Sequence, residues 1–568
     1  MEEDTIAVIL CPRDKADSKR MAEMIRTVTI PVIHGRRAKV EVICAFGQSV
    51  ADACNAGMQR SKARYKCYIT SEVTVLAAEL LMMFLKIFEN HPRTGMVGCY
   101  GSSLPMDGDY RRARHRYGCL CWRAADGSVF DDRGDPGLGM QRVHAIDGAI
   151  VMTCVDVPWD TRVDEAYRAT AHAVRLRAAH YETRVPCAGD QERYLALRHP
   201  SPYAWTADDA AFERARQSFV ARYANELYPL VSILIPAYNQ PRFCREALES
   251  ALAQDYPNIE ILIGDDSTDD RVKTALAPLL AAHPNVRYQY RGDLPGEDAG
   301  ANIRDLLGAC HGDYVNLLYH DDLLYPQKIM RMMAEFLEDD EEQLAFVTSR
   351  RDYIDAEGNP ILDINRYQRA EDRTFSGFEL CSQMVLEQAN IVGEMTTVLL
   401  RRSLLQQGGA YDIGIFFGYK EHSMGDISTW LELLRDGHTC VFLGERLSAF
   451  RKHAAQNSYN AATVLACTLD WLNFLVLAYV HRIYVRTEEA FAIGCESWRR
   501  QTERDWQPRM MGKLPASTLP YQALLEKAFQ AVAAKDYDEV IALAIRCMVA
   551  KGADPQRILG GTPYANVR

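Results

Sequence analysis

The sequence predicts an α/β protein: two mostly parallel-sheet modules in tandem, followed by a helical C-terminal region. Three apolar runs between residues 230 and 322 carry that prediction. The first ends in Pro236-Ala237-Tyr238-Asn239, the second in Gly264-Asp265-Asp266-Ser267 and the third in His320-Asp321-Asp322. Each is short, rich in Val, Ile and Leu, and stops at carboxylates or turn formers, as a buried parallel strand does where it reaches the C-terminal edge of its sheet. That edge is where open α/β sheets bind ligands. A helical pattern, Phe243–Gln254, separates the first two runs, which gives the alternation of a βαβ unit.

Four regions follow along the chain: a first α/β module over 1–205, a linker helix over 206–228, a second α/β module over 229–455 and helices over 456–568. In the first module the strand candidates are Ile6–Leu10, Val40–Ala45, Tyr65–Ile69, Gly95–Cys99 and Ala149–Cys154, with helices such as Ser49–Arg60 and Ala77–Glu89 between them. The alanine-rich stretch Ala207–Glu226, ahead of Pro229, reads as a helix joining the modules.

Beyond 456 no strand-like run occurs. Leu469–Val480 is the most apolar segment, but Asp470 and Asn473 interrupt it and His481 and Arg482 follow. It is therefore expected as a buried amphipathic helix and not a membrane span, for which about 18 uninterrupted apolar residues are needed. Tyr521–Ala550 resembles one tetratricopeptide helix pair. About three are needed to bury a solenoid core, so this region is expected to be a helical appendage.

Composition narrows the function. With 568 residues the chain exceeds one ordinary core, and 48% hydrophobic with 25% charged residues reads as globular. A net charge of −11 argues against a nucleic-acid binder, which needs a basic surface. The densest basic patch, Arg111, Arg112, Arg114, His115 and Arg116, reads as a solvated loop. Sixteen scattered cysteines without a CxxC pair, behind an acidic N-terminus, point to a reducing cytoplasm with free thiols. Cys119 and Cys121 lack a second ligand pair for zinc.

The order of the three strand-end motifs resembles the nucleotide-sugar-dependent glycosyltransferases of family 2, which have the GT-A fold. The resemblance implies that Pro236, Tyr238 and Asn239 line a nucleoside pocket and that Asp265 accepts a hydrogen bond from the imide N–H of the base, which makes a UDP-sugar the expected donor. Capping of the next helix by Asp265, Asp266 and Asp269 is the structural alternative. Aspartates at a strand end can hold Mn²⁺ or Mg²⁺ against a diphosphate. The family pattern makes Asp322 the principal metal ligand, with Asp321 toward the sugar or ribose and Arg304 near the donor.

Two later segments complete the resemblance. Ala449–Ser458 looks like the family's Tyr-Arg-x-His segment, with Phe450 for the tyrosine and His453 as a further metal ligand. Met424–Leu434 looks like the base-bearing helix start, with Gly425 for the family's glutamate, Asp426 for its aspartate and Trp430 for its aromatic residue. Asp426 is thus the candidate general base, and an N-cap role fits the same sequence. Glu394 and Glu421 are the alternative bases, and the acceptor side is expected between Asn390 and Tyr419.

The first module looks like a worn copy of the second and resembles the glycosyltransferase-like domain of the streptomycin-cluster family, including its Ile146–Thr153 segment. Setting Tyr65 on Tyr314 places Glu72 opposite Asp321 and Val73 opposite Asp322. Where that family has His-Gln-Asp-Val, this chain has Thr70, Ser71, Glu72 and Val73, and Cys11–Asp14 replaces the Pro-Ala-Tyr-Asn end. A non-catalytic role follows.

The expectation is a cytoplasmic, metal-dependent, inverting glycosyltransferase with two GT-A-like modules. It would move a hexose or N-acetylhexosamine from UDP to a hydroxyl of a glycan, lipid-linked or protein acceptor. Peripheral membrane contact and homo-oligomerisation are compatible with the composition. Two alternatives stand beside it. A sugar nucleotidyltransferase would need a glycine-rich, lysine-containing loop after Val231–Pro236, and a non-catalytic carbohydrate-binding or assembly protein would not need Asp265, Asp321, Asp322 and Asp426 together.

Overall fold

The computed structural model describes residues 2–123, 126–134, 139–187, 195–199, 209–292, 299–339, 342–362, 367–407, 410–411, 413–420, 423–454, 461–505, 514 and 516–564. The chain forms two compact units, Met1–Tyr228 and Pro229–Arg568.

In the first unit a seven-stranded sheet runs Met140–Arg142, Glu182–Pro186, Thr94–Gly98, Ile150–Thr153, Ala63–Thr70, Glu2–Cys11, Lys39–Cys44. Five consecutive strands of this sheet, from Thr94–Gly98 to the edge strand Lys39–Cys44, are the five expected from the sequence. Ser49 caps the helix Val50–Gln59 in a reciprocal box with Asp52, which fixes where the chain leaves the strand Lys39–Cys44. The second helix begins at Leu80 and not at Ala77.

The stretch expected as a linker differs. Its helix, Asp209–Arg222, buries Phe212, Ala215 and Phe219, and the Phe219 ring stacks on Tyr167 at 4.5 Å. Arg111 lies 3.6 Å over the Phe212 ring and pairs with Asp209 at 2.8 Å. The helix is therefore packed into the first unit, where the short helix Ala224–Leu227 follows it, and Arg111 is a packed residue and not a solvated one. Residues 188–194 and 200–208 of the expected first module and linker lie outside the described residues.

The second unit contains β1 (Val231–Ala237), α1 (Pro241–Leu252), β2 (Ile259–Asp265), α2 (Arg271–Ala282), β3 (Val286–Tyr290), α3 (Ala299–Ala309), β4 (Tyr314–Leu317), α4 (Lys328–Glu338), β5 (Leu344–Ile354), α5 (Gly377–Glu387), β6 (Leu399–Arg401), α6 (Gly425–Leu433) and β7 (Thr439–Arg451). The sheet order is β3-β2-β1-β4-β6-β5-β7. β1 pairs in parallel with β2 and β4, while β6 is antiparallel to β4 and β5. The first unit repeats this arrangement: Glu2–Cys11 lies parallel between Lys39–Cys44 and Ala63–Thr70, and Ile150–Thr153 is antiparallel to its two neighbours. The registers agree as well. Tyr65 pairs with Ile6 and Tyr314 with Val231, each near the start of the corresponding strand.

The C-terminal helices are α7 (Ala461–Val480), α8 (Glu488–Asp505), α9 (Leu519–Ala534) and α10 (Tyr537–Ala550). By length and composition α7 is apolar enough to cross a membrane. Every residue from Leu469 to Val480 is buried within the unit, so the helix is enclosed on all sides instead of amphipathic. Its two polar residues are satisfied: the Tyr419 hydroxyl donates to Asp470 Oδ1 (2.6 Å), Asn473 Nδ2 donates to the Tyr419 oxygen (3.0 Å), and Lys551 Nζ lies 3.5 Å from Asp470. Leu475 and Ile541 share one apolar core with Leu234, Val315 and Trp430. The helical region is thus part of the second unit's core and not an appendage.

Candidate active site

Three strand ends of the second unit are laced into one edge. Asn239 adopts φ 51°, a left-handed conformation that asparagine tolerates better than most residues. Its amide N–H donates to Ser267 Oγ (2.8 Å), and its Oδ1 accepts from the Thr268 amide (3.0 Å). His320 Nδ1 lies 3.1 Å from the Pro236 carbonyl; because a carbonyl only accepts, Nδ1 carries the proton. The edge opens into a cleft of ≈ 1120 Å³, lined on this side by Pro236, Tyr238, Asn239, Asp266, His320 and Asp321. Tyr238 is 42% exposed.

At two strand ends one of two adjacent aspartates is buried and its neighbour lines the cleft; the buried ones, Asp265 and Asp322, are both expected from the sequence to meet the donor or its cation. Asp265 is fully buried, its Oδ2 accepting from the Tyr288 hydroxyl (2.6 Å) and its Oδ1 from the Ser267 amide (2.9 Å). Asp265 is a structural tie. Asp266 lines the cleft, its Oδ1 has no partner in the protein, and burial raises its pKa. Asn302 Nδ2 donates to the Gly264 carbonyl (2.8 Å), and a Cβ at Gly264 would lie 2.0 Å from Asn302 Oδ1, which is why glycine stands there. Asn302 and Ile303 of α3 line the cleft, whereas half-buried Arg304 is not among the lining residues.

The third strand end shows the same inversion. Asp322 is buried, Oδ2 accepting from Thr396 Oγ1 (2.7 Å) and Oδ1 from the Arg451 amide (3.0 Å). Burial, reinforced by neighbouring Asp321, holds its carboxyl well above the usual range. With both oxygens engaged, Asp322 is not the exposed ligand. Asp321 lines the cleft, with Oδ2 3.0 Å from His453 Nε2. The buried Arg451 guanidinium fixes the pair from behind, donating through Nε to the Asp321 carbonyl (2.8 Å) and through Nη2 to Glu246 (2.5 Å). Lys328 Nζ, buried with its pKa well depressed, donates to the Thr397 carbonyl (2.8 Å) beneath Thr396.

Among the described residues no three His, Cys, Asp or Glu side chains converge as a metal cluster. At the cleft Asp321 and His453 form an oxygen-plus-imidazole pair, a donor set that suits Mn²⁺ when phosphate oxygens complete the shell.

Across the cleft, Asp426 occupies the second position of α6, after Met424 as N-cap and Gly425. It is therefore not the N-cap. Its Oδ1 accepts from the Ile427 amide (2.8 Å) and its Oδ2 from Asn390 Nδ2 (2.8 Å). Asn390 Oδ1 accepts from the Gly393 amide, which sets its amide orientation and turns Nδ2 toward Asp426. Burial pushes the Asp426 carboxyl up to about 7, assisted by Glu394 and opposed by the Ile427 hydrogen bond and by Arg351. Glu394 also lines the cleft and is held by Arg351, with Nε and Oε2 2.5 Å apart. Trp430 is buried, its Nε1 donating to the Gly393 carbonyl (3.2 Å). Glu421 lies outside the described residues, as do Asp412 and residues 455–458 of the segment bearing His453.

The matching edge of the first unit is closed. Glu72 lies 3.0 Å from Arg13 and 3.4 Å from Arg198, which also pairs with Asp147 at 3.4 Å. The space left beside Thr70, Glu72, Asp147 and Arg198 is ≈ 20 Å³, room for about one water.

Sequence reasoning missed Asn302, Thr396, Asn390 and Arg451. Arg451 stands in the Tyr-Arg-x-His-like segment, but the sequence reading assigns no role to it. The others are polar residues whose partners are far away in sequence.

Sheet order and strand-edge cleft together define a GT-A-like α/β fold. Residues 7–223 match the sequence model of the family described as "Glycosyltransferase like family", and residues 232–407 match "Glycosyl transferase family 2". The chain thus carries a family 2 glycosyltransferase domain in its second unit and a glycosyltransferase-like domain in its first. It is 28% identical over 243 residues to an uncharacterized glycosyltransferase of Rickettsia typhi, covering 42% of this chain and 70% of that protein. Over 133 residues it is 35% identical to chondroitin synthase of Escherichia coli, covering 23% of this chain and 19% of that protein. Among solved structures, S. aureus TarS in complex with UDP-GlcNAc aligns at 15% identity and TM-score 0.40, covering 56% of this chain and 92% of that one.

Proposed function

We propose that the second unit transfers a hexosyl or N-acetylhexosaminyl group from a UDP-sugar to an acceptor hydroxyl with inversion at the anomeric carbon. The observation that carries this reading is Asp426, a carboxylate tuned to about 7 in the same cleft as Asp321 and His453. A base near neutral pH takes up the hydroxyl proton most effectively. As the acceptor oxygen bonds to the anomeric carbon, the bond from that carbon to the diphosphate oxygen breaks and the proton passes to Asp426. Asn390 holds the receiving carboxylate in place, and Tyr238 offers a ring against the base of the donor. Asp266, with its free Oδ1, takes the imide-recognition role expected of Asp265.

Asp321 and His453 would hold Mn²⁺ or Mg²⁺ against the diphosphate. The bound cation supplies neutralisation of the negative charge that builds on departing UDP. The cysteine pattern of the sequence supports a cytoplasmic setting, with a glycan, lipid-linked or protein acceptor.

The test is UDP affinity with and without Mn²⁺. UDP should raise the melting temperature of the full chain, and Mn²⁺ should raise it further. Asp321→Ala should abolish the Mn²⁺-dependent part, while Asp322→Asn, provided it folds, should retain it. Unchanged Mn²⁺-dependent UDP binding in Asp321→Ala would overturn the assignment.

A further inference from the structure

The cleft is larger than a single small ligand requires. At ≈ 1120 Å³ it exceeds the roughly 300–1,000 Å³ of ordinary ligand pockets. One part of it is walled by the C-terminal helices, through Val464, Cys467 and Trp471 of α7 and Thr502 of α8, with Gln388 at the end of α5. Two polar atoms there have no partner in the protein although both residues are only 4% exposed: Gln388 Oε1 and Thr502 Oγ1. A buried polar atom left unpaired costs free energy, and most are paired.

Neither orphan is a consequence of loose packing. Gln388 Nε2 donates to the carbonyls of Val385 (2.5 Å) and Leu386 (3.2 Å). Those acceptors fix the amide orientation and leave Oε1 as the unpaired end. Gln501 Nε2 reaches the Gln388 carbonyl (3.4 Å), and Trp498 Nε1 donates to the Thr468 carbonyl (2.8 Å), so α8 is tied to both neighbours. Gln388 is also the C-cap of α5 at φ 46°, a position where glycine or asparagine is the usual residue. A strained backbone and an unpaired side-chain oxygen thus fall on one residue, two positions from the Asn390 that holds Asp426.

Charge narrows the ligand. The charged side chains lining the cleft among the described residues are Asp266, Asp321, Glu394 and Asp426, with His320 and His453 and no Lys or Arg. A single cation on Asp321 and His453 is committed to the donor diphosphate. Among the described residues a second anionic group would meet carboxylates and no compensating Lys or Arg. A ligand that offers hydroxyls and an apolar ring face, without charge, suits two orphan oxygens beside Val464, Cys467 and Trp471.

We propose that the part of the cleft between α5, α7 and α8 is a subsite for a neutral polyhydroxyl acceptor, the end of a glycan chain, held by Gln388 Oε1 and Thr502 Oγ1. This rests on the transferase reading and assigns the acceptor side of that same site. Neutral glycan hydroxyls donate to Gln388 and exchange hydrogen bonds with Thr502, and the Trp471 wall takes the C–H face of a sugar ring.

The experiment uses the full chain loaded with UDP and Mn²⁺ on an array of neutral, uronate-bearing and phosphate-bearing oligosaccharides, with Gln388→Gly and Thr502→Val beside the wild type. Gln388→Gly keeps the left-handed cap and removes the amide, and Thr502→Val removes the hydroxyl at constant shape. Each should lower neutral-glycan affinity about tenfold, the loss of one hydrogen bond, while UDP affinity stays within twofold and the melting temperature is equal or higher. Retention of anionic glycans only, retention of none while UDP still binds, or neutral-glycan affinity within twofold of wild type in both variants would overturn the subsite. Failure of the wild type to bind UDP would instead strike the transferase reading itself.

Discussion

The two α/β units share one sheet order and one tyrosine register, and they differ at the edge where a ligand would enter. In the second unit, Asp321 stands at that edge with one imidazole partner and an open cleft before it. In the first, Glu72 occupies the corresponding place and two guanidiniums have closed on it. A carboxylate with a free approach can accept a cation from solution, whereas one already paired with Arg13 and Arg198 has had its counter-charge supplied by the chain. The neighbouring arginines hold the Glu72 carboxyl below the usual range despite its burial, while burial holds Asp426 above it. The same fold therefore tunes acids in opposite directions, Glu72 downward in the first unit and Asp426 up to about 7 in the second.

The sharpest way to break this comparison is Asp426→Asn. It should lower kcat/KM by about 10²–10⁴ with UDP affinity unchanged, and near-normal turnover would move the base elsewhere, with Glu394 next. Wild-type kcat/KM should climb about tenfold per pH unit up to about 7 and level off above, with Glu394 and Arg351 the charged groups that bear on the midpoint. The stability sign follows from the same shift. The folded chain holds this proton more tightly than the unfolded chain does, so stability is lost as pH rises from about 4, the ordinary carboxyl value, to about 7. Asp426→Asn escapes that loss, and its melting temperature at pH 8 should equal or exceed that of the wild type.

How much of this was legible in the sequence depends on what each feature required. Strand ends were visible because a run such as Val231–Ile235 stops where apolar residues give way to turn formers. The choice between neighbours in Asp265-Asp266 and Asp321-Asp322 was not, since it is made by Tyr288, Thr396 and Arg451, none adjacent in sequence. Asp426 and His453 were singled out through short segments that keep their local spacing, and both line the cleft. The C-terminal helices read as an appendage because a helix buried on all sides shows no polar face to reveal what covers it.

A second, smaller effect tests the closed edge. Arg198→Ala leaves Glu72 and Asp147 short of their shared partner in a nearly enclosed site, and the melting temperature should fall by an amount equivalent to about 3 kcal/mol. Turnover, measured below the new melting point, should not change. A stable variant that gained Mn²⁺-dependent nucleotide binding would show that one arginine is all that separates the two edges.

The smallest expected effect is that of Glu72→Gln, for which kcat and KM should stay within twofold of the wild type. A loss matching that of Asp321→Ala, with folding intact, would make the first unit a second working site and end the comparison.

The sharing of one core between β-sheet and C-terminal helices sets where this enzyme can be cut. The stretch that matches the family 2 model ends at residue 407, before Asp426, before His453 and before the helix whose Leu469–Val480 segment is enclosed by the rest of the unit. A fragment trimmed to that boundary would hold the strand ends at Asn239, Asp266 and Asp321 but neither Asp426 nor His453, and it would bare the surface that α7 covers. The smallest piece worth expressing for crystallisation or assay therefore begins near Pro229 and runs through the last helices, far beyond residue 407, where the family 2 match stops.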